Sequence, residues 1–338
     1  MLVASQFQYW SKLSSGSIFA PEFPRAIVIL FNWAGGAILF LALMQLMADV
    51  ALFAIWLTPG QTELMAVEIR YGMAAMAMIL AGVGVYNATR VPSLKDVRID
   101  IAGLPPQFDG YSLVQLTDLH ISRLFPTAWT QSVVDRTNAL DVDLIVITGD
   151  VIDGSLAMRR ADVEPLRDLR ARDGVFMSPG NHEYFLGYQE WMRHFAEMGM
   201  RILANGHAVL RRQGDSLVVA GVTDRTAPAT GMPPPDLAAA LARAPTDVPI
   251  LLLDHQPGPA RMAASRGVAL QLSGHTHGGM IPGLDRLVAM ANSGFVSGRY
   301  AIDGMTLYVN NGTGIWPGFA IRLGRPAELT RITLRKKL

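Results

Sequence analysis

An uncharged stretch of 23 residues, 26–48, sets the first constraint on the fold of this 338-residue chain. After Asp49 the apolar character continues over residues 50–57. A helix needs about 20 apolar residues to cross the hydrocarbon of a bilayer, so the first stretch is long enough by itself. A core helix of a globular protein rarely stays uncharged for so long, and the apolar core of a signal peptide is only about 7–15 residues. The stretch therefore predicts a transmembrane helix.

A second uncharged stretch covers residues 71–89 and is rich in Ala, Met and Gly. Small residues of this kind allow close helix packing in lipid. A helix lying in the membrane interface is the alternative interpretation. The residues between the two stretches include Pro59 and Gly60, which favour a turn. We predict a membrane domain over residues 26–90, with transmembrane helices at about 26–48 and 69–89, in a multi-pass protein of the cell membrane.

The charges that flank the two stretches predict their orientation. Basic residues outside the predicted hairpin are Lys12, Arg25, Arg90, Lys95 and Arg98. The connecting loop has only Arg70, beside Glu63 and Glu68. Because cytoplasmic flanks carry an excess of Lys and Arg, we expect the segment 1–25 and the chain beyond residue 90 to be cytoplasmic. A third span within residues 50–57 would invert this orientation.

Beyond residue 90 the pattern changes to strands that alternate with helices. We expect a linker with a first strand over residues 91–105 and a globular domain over residues 106–338. Strand patterns occur at residues 97–102, 113–116, 144–148, 174–178, 217–222, 250–253 and 269–272. Helical patterns occur at residues 130–139, 163–171, 189–198 and 236–243. Such alternation is typical of an α/β layered fold.

Five of these strands end in a short polar cluster that contains His or Asp. In open α/β sheets the ligand site lies beyond the carboxyl ends of the strands, so the clusters should meet at one edge. The side chains concerned are Asp118, His120, Asp150, Asn181, His182, His255, His275 and His277. His194 and His207 lie outside the clusters, and we interpret them as packing or surface residues.

The chemistry of the clustered side chains points to metal binding. Imidazole, carboxylate and amide oxygen together suit divalent Zn, Mn, Fe or Co. The chain has no cysteine, which excludes disulfides, zinc–thiolate sites and thiol catalysis. Each short motif by itself has an ordinary structural explanation, such as a turn or a helix cap. Their joint occurrence at successive strand ends favours a site.

The motifs Asp118-x-His120, Gly149-Asp150, Gly180-Asn181-His182-Glu183, a later His255 and Gly274-His275-x-His277 follow one another in this order. The chain from about residue 106 to residue 334 thereby resembles the calcineurin-like metallophosphoesterases, and most closely their bacterial membrane-linked branch. This resemblance implies a four-layer sandwich of two mixed sheets flanked by helices, preceded here by the transmembrane helices. It modifies the parallel-sheet expectation that the alternation alone suggests.

The resemblance also implies a role for each clustered residue. The first of two divalent metal ions would be bound by Asp118, His120 and His277. The second would be bound by Asn181, His255 and His275. Asp150 would bridge the two ions, which activate a bridging water for in-line attack on phosphorus.

Two further residues would act beside the metals. His182 would contact the scissile phosphate and protonate the leaving oxygen, since imidazole titrates near neutral pH. Asp153 resembles the acid that orients this histidine in some relatives. A turn or helix-start aspartate is the equal alternative.

The family motifs do not select a substrate, so the membrane anchor is the additional clue. It favours a lipid-linked phosphodiester or pyrophosphate such as UDP-2,3-diacylglucosamine. Alternatives are a general phosphodiesterase, a phosphoprotein phosphatase, or a non-catalytic membrane scaffold with a structural metal site. The expected partners are the bilayer and a phosphoester. The net charge of +1 without a basic stripe gives no reason to expect nucleic acid.

Overall fold

Three helices precede the globular domain in the computed structural model, which describes residues 6–57 and 65–337. Helix α1 spans Phe7–Ser15, α2 spans Arg25–Trp56 and α3 spans Val67–Thr89. The predicted turn at Pro59 and Gly60 lies outside the described residues. Helix α2 continues beyond Asp49 as far as Trp56, so residues 50–56 extend the first helix and do not form a separate membrane span.

The hairpin of α2 and α3 has the length and the surface of membrane-spanning helices. Its 32 and 23 residues correspond to about 48 and 35 Å of helix. The most apolar window of α2 has a mean hydropathy of 2.3, yet only 6% of it is buried. A core helix of a soluble domain would be mostly covered by protein. The two helices pack on each other through small and aromatic side chains, including Ala37, Phe40, Ala77 and Ala81.

The first sheet has six strands in the order β1-β12-β2-β3-β4-β5. These strands are β1 Leu94–Ile101, β12 Leu329–Lys336, β2 Ser112–Leu116, β3 Leu144–Thr148, β4 Val175–Ser178 and β5 Arg201–Ile202. Strands β2 to β5 are parallel, whereas β12 runs antiparallel to β2. The sheet is therefore mixed, as the resemblance implies, and β5 and β12 were not among the strands predicted from the sequence.

The second sheet has the order β10-β11-β9-β8-β7-β6. Its strands are β10 Gly298–Ile302, β11 Met305–Val309, β9 Leu270–Ser273, β8 Ile250–Leu253, β7 Asp215–Gly221 and β6 Gly206–Arg212. Strands β7, β8, β9 and β11 are parallel, and the two edge strands are antiparallel to their neighbours. His207 lies in β6, outside the polar clusters, and its Nδ1 hydrogen-bonds the carbonyl of Ala240 at 2.7 Å.

Seven further α-helices belong to the globular domain, and most of them pack apolar side chains on the outer faces of the two sheets. They are α4 Thr127–Asn138, α5 Leu156–Val163, α6 Asn181–Phe185, α7 Tyr188–Glu197, α8 Leu237–Ala240, α9 Ala260–Ser265 and α10 Leu284–Ala291. Between the sheets lies a core of apolar side chains such as Leu113, Val146, Val219 and Leu251. The central strands are buried on both faces, which explains why they read as short continuous apolar runs. The predicted four-layer sandwich is confirmed.

The helix predicted at residues 163–171 is misplaced. Helix α5 ends at Val163, and a 3₁₀ turn, Glu164–Asp168, follows it. Pro165 has no N–H to donate and therefore begins a new turn instead of continuing the α-helix.

A segment between β11 and β12, residues 315–323, joins the hairpin to the globular domain. Asn32 of α2 donates to the carbonyl of Pro317 at 2.8 Å and accepts from the N–H of Ala320 at 2.6 Å. The N–H of Arg322 donates to the carbonyl of Gly84 in α3 at 2.9 Å. Ile321, fully buried, packs into the hairpin cluster. The hairpin and the domain are thus fastened by both packing and hydrogen bonds.

Substitution of Gly84 tests this junction. A Cβ at Gly84 would lie 2.7 Å from Cγ2 of Ile321, so Gly84→Ala should destabilise the detergent-solubilised protein by about 1–3 kcal/mol through overpacking. Gly72→Ala in the same helix meets open space and should be neutral or stabilising by up to about 1 kcal/mol. Thermal unfolding of both variants checks the difference. Equal midpoints would contradict the close packing at Ile321.

Candidate metal centre and active site

The polar clusters meet where the two sheets present the carboxyl ends of their parallel strands. Asp118 and His120 follow β2, Asp150 and Asp153 follow β3, and Asn181 and His182 follow β4. From the second sheet, His255 follows β8, and His275 and His277 follow β9. All the residues singled out by the sequence as ligands or catalytic groups are therefore brought to one place.

The first group of donors consists of Asp118, His120 and His277, whose ligand atoms lie within 4.8 Å of one another. Nε2 of His120 is 3.9 Å, and Nε2 of His277 is 3.6 Å, from Oδ1 of Asp118. Nε2 of His120 is buried and has no hydrogen-bond partner among the described residues. A buried imidazole nitrogen without a partner costs free energy unless it binds something, and a metal ion suits it.

The second group consists of Asp150, His255 and His275, with Asn181 beside them. Nε2 of His255 is 3.1 Å from both Oδ2 of Asp150 and Oδ1 of Asn181. Nδ1 of His275 is 3.0 Å from the same Asn181 oxygen. Nδ1 of His255 hydrogen-bonds the carbonyl of Thr148 at 2.7 Å, which fixes the ring and directs Nε2 into the site.

Asp150 stands between the two groups. Its Oδ2 is 3.1 Å from Nε2 of His255 in the second group and 3.9 Å from Nε2 of His120 in the first. Two ligands bound about 2.1 Å from an ion in tetrahedral geometry lie about 3.4 Å apart. The observed separations of 3.1–3.9 Å therefore fit two ions that share Asp150.

Asp153 is buried and holds two histidines at once. Its Oδ1 is 2.5 Å from Nδ1 of His182, and its Oδ2 is 3.0 Å from Nδ1 of His120. Nε2 of His182 consequently faces the two groups of donor side chains and lies 3.9 Å from Oδ2 of Asp150. This placement favours a role in orienting His182 over that of a simple turn or helix-start aspartate.

The electrostatics favour a protonated His182 when no ions are bound. Burial lowers the pKa of this imidazole, but the charges of Asp150 and Asp153 and the hydrogen bond to Asp153 raise it further, to about 9. His275 differs, because burial and the neighbouring His255 lower its pKa to about 4. A neutral imidazole is the form that binds a metal, and a protonated one is the form that donates a proton.

The sequence model of calcineurin-like phosphoesterases matches residues 111–279 of this chain. A Danio rerio protein named "Transmembrane protein with metallophosphoesterase domain" is 34% identical over 270 residues, which cover 76% of this chain and 61% of the relative. An "Uncharacterized metallophosphoesterase" of Helicobacter pylori J99 is 31% identical over 75% of this chain and 67% of its own length. A Caenorhabditis elegans protein, "Putative metallophosphoesterase F40B5.2", is 30% identical over 94% of this chain and 69% of its own length.

The chain belongs to the calcineurin-like metallophosphoesterase family. It spans about three fifths of the length of the Danio rerio protein and of a Bos taurus protein of the same name, 61% and 63%. Those relatives are named as transmembrane proteins, and this metallophosphoesterase domain likewise follows two apolar helices near the N-terminus.

Several candidate ligand positions of the metallophosphoesterase domain have strained backbones. Asp118, His120, Asp150, His275 and His277 all have positive φ, between 46° and 69°. Such conformations cost free energy for residues other than glycine, and they persist where the surroundings hold them. The N–H groups of Asp118 and His120 donate to the carbonyls of Gly149 and Asp150, both at 3.0 Å.

Glu183 supports the bridging position, a role that the sequence analysis did not assign. Its Oε2 accepts from the N–H groups of Asp150 at 3.0 Å and Gly180 at 2.7 Å, and its Oε1 accepts from that of Val151 at 2.7 Å. This carboxylate therefore ties the loop after β3 to the loop after β4. The sequence feature that could have indicated this supporting role is the position of Glu183 in the Gly-Asn-His-Glu motif.

Arg322 also supports the site, and no local sequence pattern indicated this role. The buried guanidinium donates to the carbonyls of His277 at 3.0 Å, Asn311 at 2.6 Å and Gly314 at 2.9 Å. Since the N–H of the same residue donates to Gly84, a single residue connects the first donor group with helix α3.

Gly274→Ala should weaken metal binding. A Cβ at this position would overlap Oδ2 of Asp118 and Oγ1 of Thr117, so the Asp118 carboxylate must move. We expect metal affinity to fall by about tenfold or more, as for other disturbances of residues that orient ligands. Equilibrium dialysis followed by elemental analysis measures the bound metal. Gly206→Ala, which meets open space, is the control, and unchanged affinity in both variants would contradict the placement of Asp118.

Proposed function

We propose that this chain is a dinuclear-metal-dependent phosphoester hydrolase that works at a membrane. The observation that carries the proposal is the position of Asp150 between two donor groups, with His182 facing the same space. A single structural metal would require neither a shared carboxylate nor a second group.

In this proposal Asp118, His120 and His277 hold one ion, and Asn181, His255 and His275 hold the other. Asp150 contributes to both. The donor set of imidazole, carboxylate and amide suits Zn, Mn, Fe or Co. Two such ions, when bound, lower the pKa of a water molecule and polarise the phosphoryl oxygens.

His182 supplies the proton for the leaving oxygen from its Nε2. Asp153 accepts the hydrogen bond from Nδ1, which fixes the tautomer and turns Nε2 towards the substrate. In the metal-free chain burial lowers the pKa of this imidazole, but the charges of Asp150 and Asp153 more than offset that effect, so the ring is protonated at neutral pH. General acid catalysis of this kind contributes about 10²–10⁴-fold to a rate.

We further propose that the substrate is lipid-linked, a phosphodiester or pyrophosphate such as UDP-2,3-diacylglucosamine. The proximity of the site to the hairpin supports this, because Arg322 contacts both His277 and helix α3. A phosphoester whose acyl chains stay in the bilayer could then present its polar part to the donor groups.

The proposed topology is a helical hairpin with both ends and the catalytic domain in the cytoplasm. Two features support it. The domain packs on the first turns of α2, at Val28 and Asn32, and on the last turns of α3, at Val85 and Ala88, so it covers the base of the hairpin. The basic flanks also lie at this base.

His182→Asn should separate an enzyme from a scaffold with a structural metal. With Mn or Zn and bis(p-nitrophenyl) phosphate, we expect kcat to fall by about 10²–10⁴-fold while both ions stay bound. His194→Asn alters a buried histidine of α7 outside the site and should leave kcat unchanged. Wild-type protein that is fully loaded with metal and hydrolyses no phosphoester would favour the scaffold.

The lipid-linked substrate class has its own test. Wild-type protein in nanodiscs should hydrolyse UDP-2,3-diacylglucosamine with a kcat/KM at least about tenfold above that for UDP-glucosamine, because each buried methylene of an acyl chain contributes about 0.8 kcal/mol. Product release measured by ³¹P NMR gives the ratio. A ratio near one would exclude recognition of the acyl chains and leave the general phosphodiesterase alternative.

A further inference from the structure

A stacked pair of phenyl rings lies against the imidazole of His182. The ring centroids of Phe19 and His182 are 5.1 Å apart, in an edge-on arrangement at 62°. Phe19 stacks on Phe185, with centroids 5.1 Å apart and planes within 8°. The Phe185 ring is itself 5.8 Å from that of His182. One of these rings comes from α6, which carries His182, and the other comes from residues that precede the first membrane helix.

Phe19 belongs to residues 16–24, which connect α1 to α2 and are called the connecting segment below. Ion pairs fasten this segment to the globular domain. Glu22 pairs with the buried guanidinium of Arg159 and, at 2.7 Å, with Nε of Arg123. Nε of Arg159 donates to the carbonyl of Asp153 at 3.2 Å. The connecting segment is therefore held to the same residue that orients His182.

The two rings are placed where they can touch a substrate. Phe185 is 44% exposed, whereas the adjacent His182 is only 6% exposed. Burial of the aromatic surface does not account for Phe185, because much of its ring is open to solvent. The faces of phenyl rings carry partial negative charge and do not attract a phosphate. A bound phosphoryl group would lie on the side of His182 that faces the candidate metal ligands. The phenyl pair would then contact the part of the substrate that is bonded to this phosphoryl group.

We propose that Phe19 and Phe185 form a subsite for an apolar portion of the leaving group. This inference rests on the proposed function and specifies its substrate class further. It selects the phosphodiester over the pyrophosphate, because the leaving oxygen of a pyrophosphate carries a second phosphoryl group, which the phenyl faces do not attract. If Nε2 of His182 lies within about 3 Å of the leaving oxygen, the atoms attached to that oxygen come within contact distance of the phenyl pair. Aromatic faces bind apolar and aromatic groups through dispersion and release of water. Phe19, which lies far from the polar motifs in the sequence, would thus help to select the leaving group.

The connecting segment also gives this subsite a position at the membrane. Phe19 lies six residues before Arg25, where α2 begins. Arg25 itself is fixed to the domain, with Nε donating to the carbonyl of Leu124 at 3.0 Å. An apolar leaving group bound by the phenyl pair would therefore remain next to the base of the hairpin.

Two non-hydrolysable ligands, phenylphosphonate and methylphosphonate, test the subsite by isothermal titration. The full-length protein is loaded with Mn and kept in one detergent. The wild type should bind phenylphosphonate about tenfold more tightly than methylphosphonate, because only the phenyl group reaches the pair. In Phe19→Ala and Phe185→Ala the ratio should fall to about threefold or less. Phe19→Tyr, which keeps the ring, should retain it.

Ile18→Ala is the matched control, since it removes an apolar side chain one residue away that is 40% exposed. It should keep the wild-type ratio. Metal content and unfolding temperature, measured on every variant, separate loss of the subsite from loss of the fold. A wild-type ratio near one, no binding of either phosphonate, or an unchanged ratio in a folded Phe19→Ala protein would overturn the inference. Because titration needs no turnover, a ring-dependent preference without hydrolysis of any phosphoester would reject the proposed hydrolase and keep the subsite.

Discussion

The buried carboxylate of Asp150 is the point on which the site depends. Its Oδ1 accepts from the N–H of His182 at 2.8 Å, and its own N–H donates to Glu183. Its carbonyl accepts from the N–H of His120. These bonds join the loops that follow β2, β3 and β4. Since a buried carboxylate is stable only when paired or bound to a cation, the charge of Asp150 both organises the loops and requires positive partners.

The two sheets bring donor side chains to the site from two directions, which a single sheet would not do. Donors after β2, β3 and β4 approach from one sheet, and His255, His275 and His277 approach from the other. Because the two inner faces enclose a continuous apolar core, the distance between these donors is fixed by side-chain packing rather than by the loops alone. The strained φ angles of the ligands become tolerable on this rigid support.

The apolar hairpin is part of the same structural unit as the site. On one side, the segment that contains Arg322 links α3 to the loop of His277. On the other side, the connecting segment before α2 contacts the ring of His182 through Phe19. Its Glu22 also pairs with Arg159, which donates to the carbonyl of Asp153. The two connections approach opposite ends of the row of histidine rings, in which His277, His120 and His182 are in successive contact. The hairpin and the candidate site are therefore joined by shared contacts.

The sequence by itself determined the apolar hairpin, seven of the strands and the candidate donor residues. Strands such as β3 and β8 were predicted with their observed bounds, because buried parallel strands are short, uninterrupted apolar runs. Strands β5, β6, β10, β11 and β12 were missed. Polar residues interrupt β6, β10 and β12, so these strands resemble loops in the sequence.

Only the tertiary structure decided how Asp153 divides its two oxygens between His120 and His182, and that Arg322 and Phe19 reach the site. These contacts join residues that lie far apart along the chain, Phe19 and His182 above all. Local sequence patterns record the periodicity and the turn chemistry of a segment. They carry no information on which distant segment packs against it, since that is set by how the whole chain buries its apolar surface.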